Sequence, residues 1–240
     1  MKNNIIAIDV SKEYILHVDK VLERNKLEII EWFQQPYQEF KVKAFIYKDI
    51  PSLVEGLHRR GFGPYPEYMN ACMIDEDIQN GIERSINLYE PSIKGSETEY
   101  SRKEYNNVIF HELIHYITDM YYGKLPEWLT EGIAKYLDGT YKEDLTNLMT
   151  IIETYEIPDI TTMQGDSFVL STNEKTIYNG YDLSYIMIRY IIEVYGKDYL
   201  FTLMQNKEQI DKIAQSTLIE AIEYFKTLYL KENTIKNQKI

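Results

Sequence analysis

The chain is poor in cysteine and has no long hydrophobic run. Its one cysteine, Cys72, excludes an intrachain disulfide and fits a reducing compartment. No apolar stretch approaches the roughly 20 residues of a membrane-spanning helix. Residues 1–14 contain only a short apolar stretch with charges close to it, which predicts no secretory signal in this segment. We therefore expect a soluble protein that makes no contact with a membrane and is cytoplasmic unless a leader has been removed.

Basic residues are also few in this sequence. The chain has 26 Lys and Arg against 38 Asp and Glu, which gives a formal net charge of -12. An acidic surface repels phosphate backbones, so we expect no nucleic-acid partner. The apolar fraction of 44% and the charged fraction of 27% are ordinary for a globular protein. With 240 residues the chain is long enough to bury a core without disulfides.

Hydrophobic periodicity predicts an α+β protein whose two halves differ in secondary structure. The N-terminal part alternates between helical and strand patterns, and nearly everything after residue 101 has helical spacing. We expect one domain, 1–240, with an α/β lobe at 1–100 built on a small mixed sheet, a mainly helical lobe at 101–240, and an active-site cleft between them. The predicted N-terminal elements are a helix over 13–35, a strand over 42–47, a helix capped by Ser52 that runs to about Arg60, and strands over 71–75 and 85–90.

The segment 100–123 carries the most informative pattern. Ser101 with a glutamate three residues later is a capping box, which predicts a helix that begins there, and Gly123 predicts its end. Within this helix lies HELIH, with His111 and His115 four residues apart and therefore on one helix face. Neutral imidazole is a good zinc ligand, and Glu112 lies where it can act on a water beside the metal.

A catalytic zinc site normally needs a third protein ligand, and four residues are candidates. Asp119 lies about 5.4 Å, one full turn, beyond the histidines. Cys72 has the upstream position found in peptide deformylases, but lacks that family's surrounding motifs. Glu127 fits the first turn of the next predicted helix, which covers 126–139 with Gly139 at its end, and there its charge complements the helix dipole. We choose Glu131, because glycine at the adjacent Gly132 costs about 1 kcal/mol in a helix and close approach to the metal helix would explain it.

Together these segments resemble the gluzincin clan of zinc metallopeptidases. HELIH is followed by PEWLTEGIAKY, similar to the W-L-x-E-G-x-A pattern on the clan's second metal-binding helix; the matching residues are Trp128, Leu129, Glu131, Gly132 and Ala134. The resemblance implies a zincin-like fold and Zn²⁺ bound by His111, His115 and Glu131. It also implies Glu112 as the catalytic base. The metzincin pattern is excluded, because Thr118 and Tyr121 stand where it requires glycine and histidine.

The resemblance extends to a third segment, residues 179–196. In gluzincin aminopeptidases a tyrosine before a long helix donates a hydrogen bond to the oxyanion of the tetrahedral intermediate. The matching residue is Tyr181, and such a donor suits developing negative charge. In a chain with 22 tyrosines, Tyr178 and Tyr185 remain alternatives for this role.

Two features depart from the aminopeptidases. Fifteen residues lie between His115 and Glu131, fewer than in that family, and no segment resembles the G-x-M-E-N motif that binds a substrate's free amine. Residues 85–90 are expected to form an edge strand along the cleft, where an extended peptide could pair. The expected partner is thus a peptide or protein substrate, with endopeptidase and exopeptidase action both open and the oligomeric state undetermined.

The sequence therefore predicts zinc-dependent hydrolysis of a peptide bond. Two alternatives stay open, namely an inactive zincin-fold domain with a structural or partner-binding role, and a zinc hydrolase of a non-peptide amide. The other histidines, His17 and His58, have no partner at metal-binding spacing.

Overall fold

A computed structural model of the protein describes residues 2–63, 71–78, 81–91, 102–141, 145–172 and 175–237. Two compact units make up the chain, Met1–Tyr121 and Tyr122–Ile240. The prediction of a single domain with lobes at 1–100 and 101–240 stays a prediction.

The first unit is built around a four-stranded mixed sheet. The strand order is β1-β2-β4-β3, with β1, β2 and β4 mutually parallel and β3 antiparallel to β4. The predicted α+β class with a small mixed sheet is confirmed. The elements are β1 (Asn4–Ile8), α1 (Lys12–Trp32), β2 (Lys43–Tyr47), α2 (Ile50–Arg59), β3 (Cys72–Ile78), β4 (Gly81–Tyr89) and α3 (Arg102–Tyr122).

The prediction that residues 85–90 form an edge strand is wrong. Residues 85–89 belong to β4, which lies inside the sheet between β2 and β3. Ser85–Tyr89 are all buried, as expected for a strand covered on both faces and paired on both sides. Among the described residues, the edges of the sheet are β1 and β3.

Helices α1 and α2 begin at side-chain caps. The Ser11 hydroxyl accepts a hydrogen bond from the Tyr14 N–H, and the apolar face of α1 is buried, which confirms the helix predicted over 13–35 apart from its last residues. For α2 the predicted cap is wrong. The Asp49 carboxylate accepts from the Ser52 N–H at 2.9 Å, so Asp49 is the N-cap. The helix starts earlier because Pro51 fits its first turn, where no N–H is needed.

The second unit is mainly helical, as predicted, but it also contains a two-stranded antiparallel ribbon that the sequence analysis did not predict. Helix α6 is its central element and contacts α4, α5, α7 and α8. The elements are α4 (Glu127–Asp138), α5 (Leu145–Ile152), β5 (Val169–Thr172), β6 (Lys175–Asn179), α6 (Gly180–Tyr195), α7 (Lys197–Met204) and α8 (Lys207–Asn237). Within the described residues, no helix has the length and apolar character needed to span a membrane.

Candidate metal centre

Helix α3 presents the HELIH residues from a firmly anchored position. Its residues Tyr105, Ile109 and Leu113 are completely buried, and the Tyr105 hydroxyl accepts a hydrogen bond from the backbone N–H of Tyr89 on β4. The helix ends at Tyr122, and the following Gly123 has a φ of 67°, as the predicted glycine stop requires. The predicted cap, Ser101, lies outside the described residues.

The two imidazoles of α3 face one another. The Nε2 atoms of His111 and His115 are 3.0 Å apart, and the ring centroids are 4.7 Å apart at an interplanar angle of 77°. Two nitrogens bound tetrahedrally to one zinc ion at about 2.0–2.1 Å are separated by roughly 3.3 Å. The histidine pair is therefore close to the geometry that a shared divalent ion needs.

A carboxylate completes a group of three possible metal ligands. One ligand atom from each of His111, His115 and Glu131 lies within 4.8 Å of the others, and all three residues are partly shielded from solvent. In the part of the chain that the structure describes, the group does not include the other candidates Cys72, Asp119 and Glu127. Two imidazoles and one carboxylate are a donor set that suits zinc.

The two carboxylate candidates outside this group, Glu127 and Asp119, interact with other residues. The Glu127 carboxylate accepts a hydrogen bond from the Gly165 N–H at 2.8 Å. Asp119 is buried, and this burial, together with the charge of Asp75, raises the pKa of its carboxyl group. Arg84, which pairs with Asp75 at 3.3 Å, and His115 act in the opposite direction. Asp119 thus lies in a network of charges on the sheet side of α3.

Glu112 is buried and has β3 nearby. Only 8% of its surface is exposed. Burial raises the pKa of the Cys72 thiol strongly, the Glu112 charge raises it further, and Arg60 lowers it. Cys72 therefore remains a neutral thiol, and its sensitivity to Glu112 indicates that the first residue of β3 lies within electrostatic range of the HELIH carboxylate.

The glycine at position 132 is explained by close contact with α6. The prediction that it allows close approach to the metal helix is wrong. A Cβ atom at this position would lie 2.5 Å from the Ser184 carbonyl oxygen and 2.5 Å from Cγ1 of Ile188. Helix α4 can pack this closely on α6 only because residue 132 has no side chain. The position of Glu131, next in the chain, therefore depends on this helix contact.

Tyr181 lies in the first turn of α6 and beside α4. Its N–H donates to Oδ1 of the N-cap residue Asn179 at 2.9 Å, and its ring meets Phe168 edge-on at 4.9 Å. The Nζ atom of Lys135 lies 5.5 Å from the ring centroid, and Lys135 is one turn after Glu131 on α4. Tyr181 is thus next to the helix that carries the candidate carboxylate ligand.

The two alternative tyrosines use their hydroxyl groups inside the fold. The Tyr178 hydroxyl donates to the Ser167 carbonyl at 2.8 Å, and the Tyr185 hydroxyl accepts from Arg189 at 3.4 Å. Both residues are buried. The position of these side chains favours Tyr181 over the alternatives, although its catalytic role stays a prediction.

One polar cluster near Tyr181 was missed in the sequence analysis. The Asp182 carboxylate, only 6% exposed, accepts hydrogen bonds from the hydroxyls of Tyr141 and Tyr155. The only signal in the sequence is an aspartate in the first turn of a largely apolar helix, and that signal does not identify its partners.

Comparison with known proteins places this arrangement in a wider group. A family model described as the Peptidase MA superfamily matches residues 86–231, which is more than half of the chain. The matched range runs from β4 through α3 and α4 into α8, and so includes all three members of the candidate metal group. A search of curated proteins found no match.

Proposed function

The chain belongs to the peptidase MA superfamily, and on that basis we propose that it is a gluzincin-type zinc metallopeptidase that hydrolyses peptide bonds. The observation that carries the proposal is the convergence of His111, His115 and Glu131 within 4.8 Å. A catalytic zinc ion typically has three protein ligands and one open position. The donor atoms found here match that requirement in number and in chemical type.

The roles of the side chains follow from their chemistry. A zinc ion held by the three ligands would lower the pKa of a water to about 7 and polarise the scissile carbonyl. Glu112, directly after the first histidine, accepts the proton of the attacking water and then delivers it to the leaving amine. Tyr181 donates its phenolic hydrogen to the oxyanion that develops on the substrate.

The substrate proposed is an extended peptide or protein segment. An extended chain pairs with the edge of a sheet through main-chain hydrogen bonds. Because β4 is internal, β3 is the edge strand that fits this role, and its first residue, Cys72, is sensitive to the charge of Glu112. We expect the substrate backbone to follow the outer edge of β3 past that carboxylate.

A digest of a broad peptide library tests this proposal. Zinc-loaded wild-type protein is expected to cleave peptides, and a chelator is expected to abolish cleavage. The variant Glu112→Gln should bind one zinc per chain, measured by elemental analysis, while its turnover falls by about 10²–10⁴-fold, the usual contribution of a general base. Glu104→Gln, at an exposed position on the same helix, is the matched control and should keep both zinc and turnover.

Three results would contradict the proposal. Full turnover in zinc-loaded Glu112→Gln would remove the assigned base. A zinc-loaded wild-type protein that cleaves no peptide but hydrolyses small non-peptide amides would indicate a different hydrolase, and one that hydrolyses neither would indicate a structural or partner-binding domain.

A further inference from the structure

A buried carboxylate follows Tyr181 directly in the chain. Asp182 lies in the first turn of α6, and its two oxygens accept separate hydrogen bonds. The Tyr141 hydroxyl donates to Oδ1 at 2.6 Å, and the Tyr155 hydroxyl donates to Oδ2 at 2.5 Å. We refer to these three residues as the Asp182 cluster. Tyr141 comes from the loop after α4 and Tyr155 from the turn after α5, so the cluster joins two connecting segments to one turn of α6.

The cluster satisfies the electrostatic requirements of a buried charge. A carboxylate removed from water must be hydrogen-bonded, and a helix N-terminus favours negative charge. Burial, and in addition the Asp182 carboxylate, raises the pKa of both Tyr141 and Tyr155 well above the ordinary value for tyrosine. Both phenols therefore keep their protons and act as donors at neutral pH.

Packing alone does not account for an aspartate at this position. An apolar residue of similar size commonly gives equal or greater stability than a buried ionised group. The carboxylate instead fixes the orientation of its helix turn, because each of its two oxygens is held by a donor from a different segment. Since Asp182 is the next residue after Tyr181, these bonds also fix the rotation of the turn from which the Tyr181 ring projects.

Two further contacts hold the same turn from its N-terminal side. Asn179 caps the helix through the Tyr181 N–H, and the N–H of Gly180 donates to the Phe168 carbonyl at 2.7 Å. The Phe168 ring then packs edge-on against Tyr181. These contacts hold the start of the turn, and the Asp182 cluster holds the residue that follows Tyr181.

We propose that Asp182 is a positioning residue, held by Tyr141 and Tyr155, that sets the orientation of the Tyr181 phenol toward the substrate. This inference rests on the function proposed above. It assigns no direct contact between Asp182 and the substrate, and it predicts that the effect of Asp182 on turnover passes through Tyr181.

A double-mutant cycle tests that dependence. Asp182→Asn keeps the shape of the side chain but replaces one acceptor oxygen with an NH₂ group. An NH₂ group is a donor and cannot accept a hydrogen bond from a phenol. A misplacement of about 1 Å can cost up to about 10²-fold in rate, so we expect kcat to fall about 10-fold while KM changes less than about 2-fold. In a Tyr181→Phe background the same change should alter kcat less than about 2-fold. Equal effects in the two backgrounds would overturn the proposal.

Tyr190→Phe is the matched control. It removes another phenol-to-carboxylate hydrogen bond from α6, the 2.9 Å bond from Tyr190 to Glu220, at a distance of more than two turns from Tyr181. Turnover should stay within about 2-fold of wild type. The combined variant Tyr141→Phe, Tyr155→Phe removes both donors and should reproduce the effect of Asp182→Asn on kcat.

A second readout is independent of turnover. With 3-fluorotyrosine placed only at position 181, the ¹⁹F resonance of the metal-free protein reports the surroundings of that ring. Asp182→Asn should shift or broaden this resonance, and Tyr190→Phe should leave it unchanged. An unchanged resonance in Asp182→Asn would overturn the positioning role, whether or not the wild type cleaves peptides. A shifted resonance in a protein that cleaves nothing would support control of Tyr181 by Asp182 while refuting the proposed function.

Discussion

Replacing Gly132 with alanine is predicted to destabilise the protein, although alanine is the better helix former. The new Cβ atom would lie 2.5 Å from both the Ser184 carbonyl oxygen and Cγ1 of Ile188, about 1.0–1.5 Å short of an ordinary carbon contact. The Ile188 side chain can change its rotamer to relieve its part of the clash. The carbonyl of Ser184 belongs to the backbone of α6, so relieving that contact requires α4 to move.

The magnitude follows from two opposing contributions. Helix propensity favours alanine over glycine by about 1 kcal/mol. Overpacking a closely packed contact costs about 1–3 kcal/mol, and a clash with backbone belongs at the upper end of that range. The expected net loss in the free energy of unfolding is therefore about 2 kcal/mol. For a chain of this size, that loss lowers Tm by about 4–8 °C.

Urea and thermal denaturation of wild type and Gly132→Ala measure this loss. In an Ile188→Ala background one of the two contacts is absent, so the same glycine replacement should cost less but still destabilise. Zinc affinity should also fall in Gly132→Ala, because Glu131 moves with the helix. A rise in Tm of about 2–4 °C would mean that propensity dominates, which would refute the close contact of α4 with α6.

Three further predictions concern the first unit. Asp49→Ala should lower the free energy of unfolding by about 1 kcal/mol, the usual value of an N-cap, and Ser52→Ala should cost less in the same urea titration. Burial raises the pKa of Asp19, but hydrogen bonds from Asn3 and from the Lys2 N–H outweigh this and hold it below its ordinary value. The stabilisation is therefore present above the unfolded-state pKa of about 3.9 and is lost as the pH falls through the lower folded-state value, so the stability difference between wild type and Asp19→Asn should shrink in acid. Cys72 should react with a disulfide reagent far more slowly in the folded protein than in urea, because burial keeps it a neutral thiol.

Each of these three predictions can be contradicted by a specific result. A larger loss in Ser52→Ala than in Asp49→Ala would restore the serine as the cap. A stability difference for Asp19→Asn that does not vary with pH would mean that the carboxylate is not held by these hydrogen bonds. Equal thiol reactivity in folded and unfolded protein would place Cys72 at the surface.

Local chemistry made the first part of the site predictable from the sequence. The spacing of His111 and His115 fixes both rings on one face of a helix, and no tertiary information is needed to infer that they can share an ion. The glycines after α3 and α4 likewise mark real helix ends, with φ angles of 67° at Gly123 and 74° at Gly139. Such features depend on residues only a few positions apart.

Features that depend on contacts between residues far apart in the sequence were harder to predict. The pattern of residues 85–90 predicted a strand. The internal position of that strand depends on pairing with β2 on one side and β3 on the other, and the pattern of a single strand does not specify its neighbours. Gly132 correctly signalled a close helix contact, but the sequence could not identify α6 as the partner. The partners of Asp182 lie 27 and 41 residues away in a chain with 22 tyrosines, so no local pattern distinguishes them.

The most direct test of the metal centre is anomalous X-ray scattering from crystals of the zinc-loaded protein, recorded at the zinc absorption edge. We predict one strong peak per chain, at about 2.0–2.1 Å from the Nε2 atoms of His111 and His115 and about 2.0–2.2 Å from a carboxylate oxygen of Glu131. A peak bound to other side chains, or no zinc peak near the histidine pair, would contradict the proposed metal centre and the mechanism that depends on it.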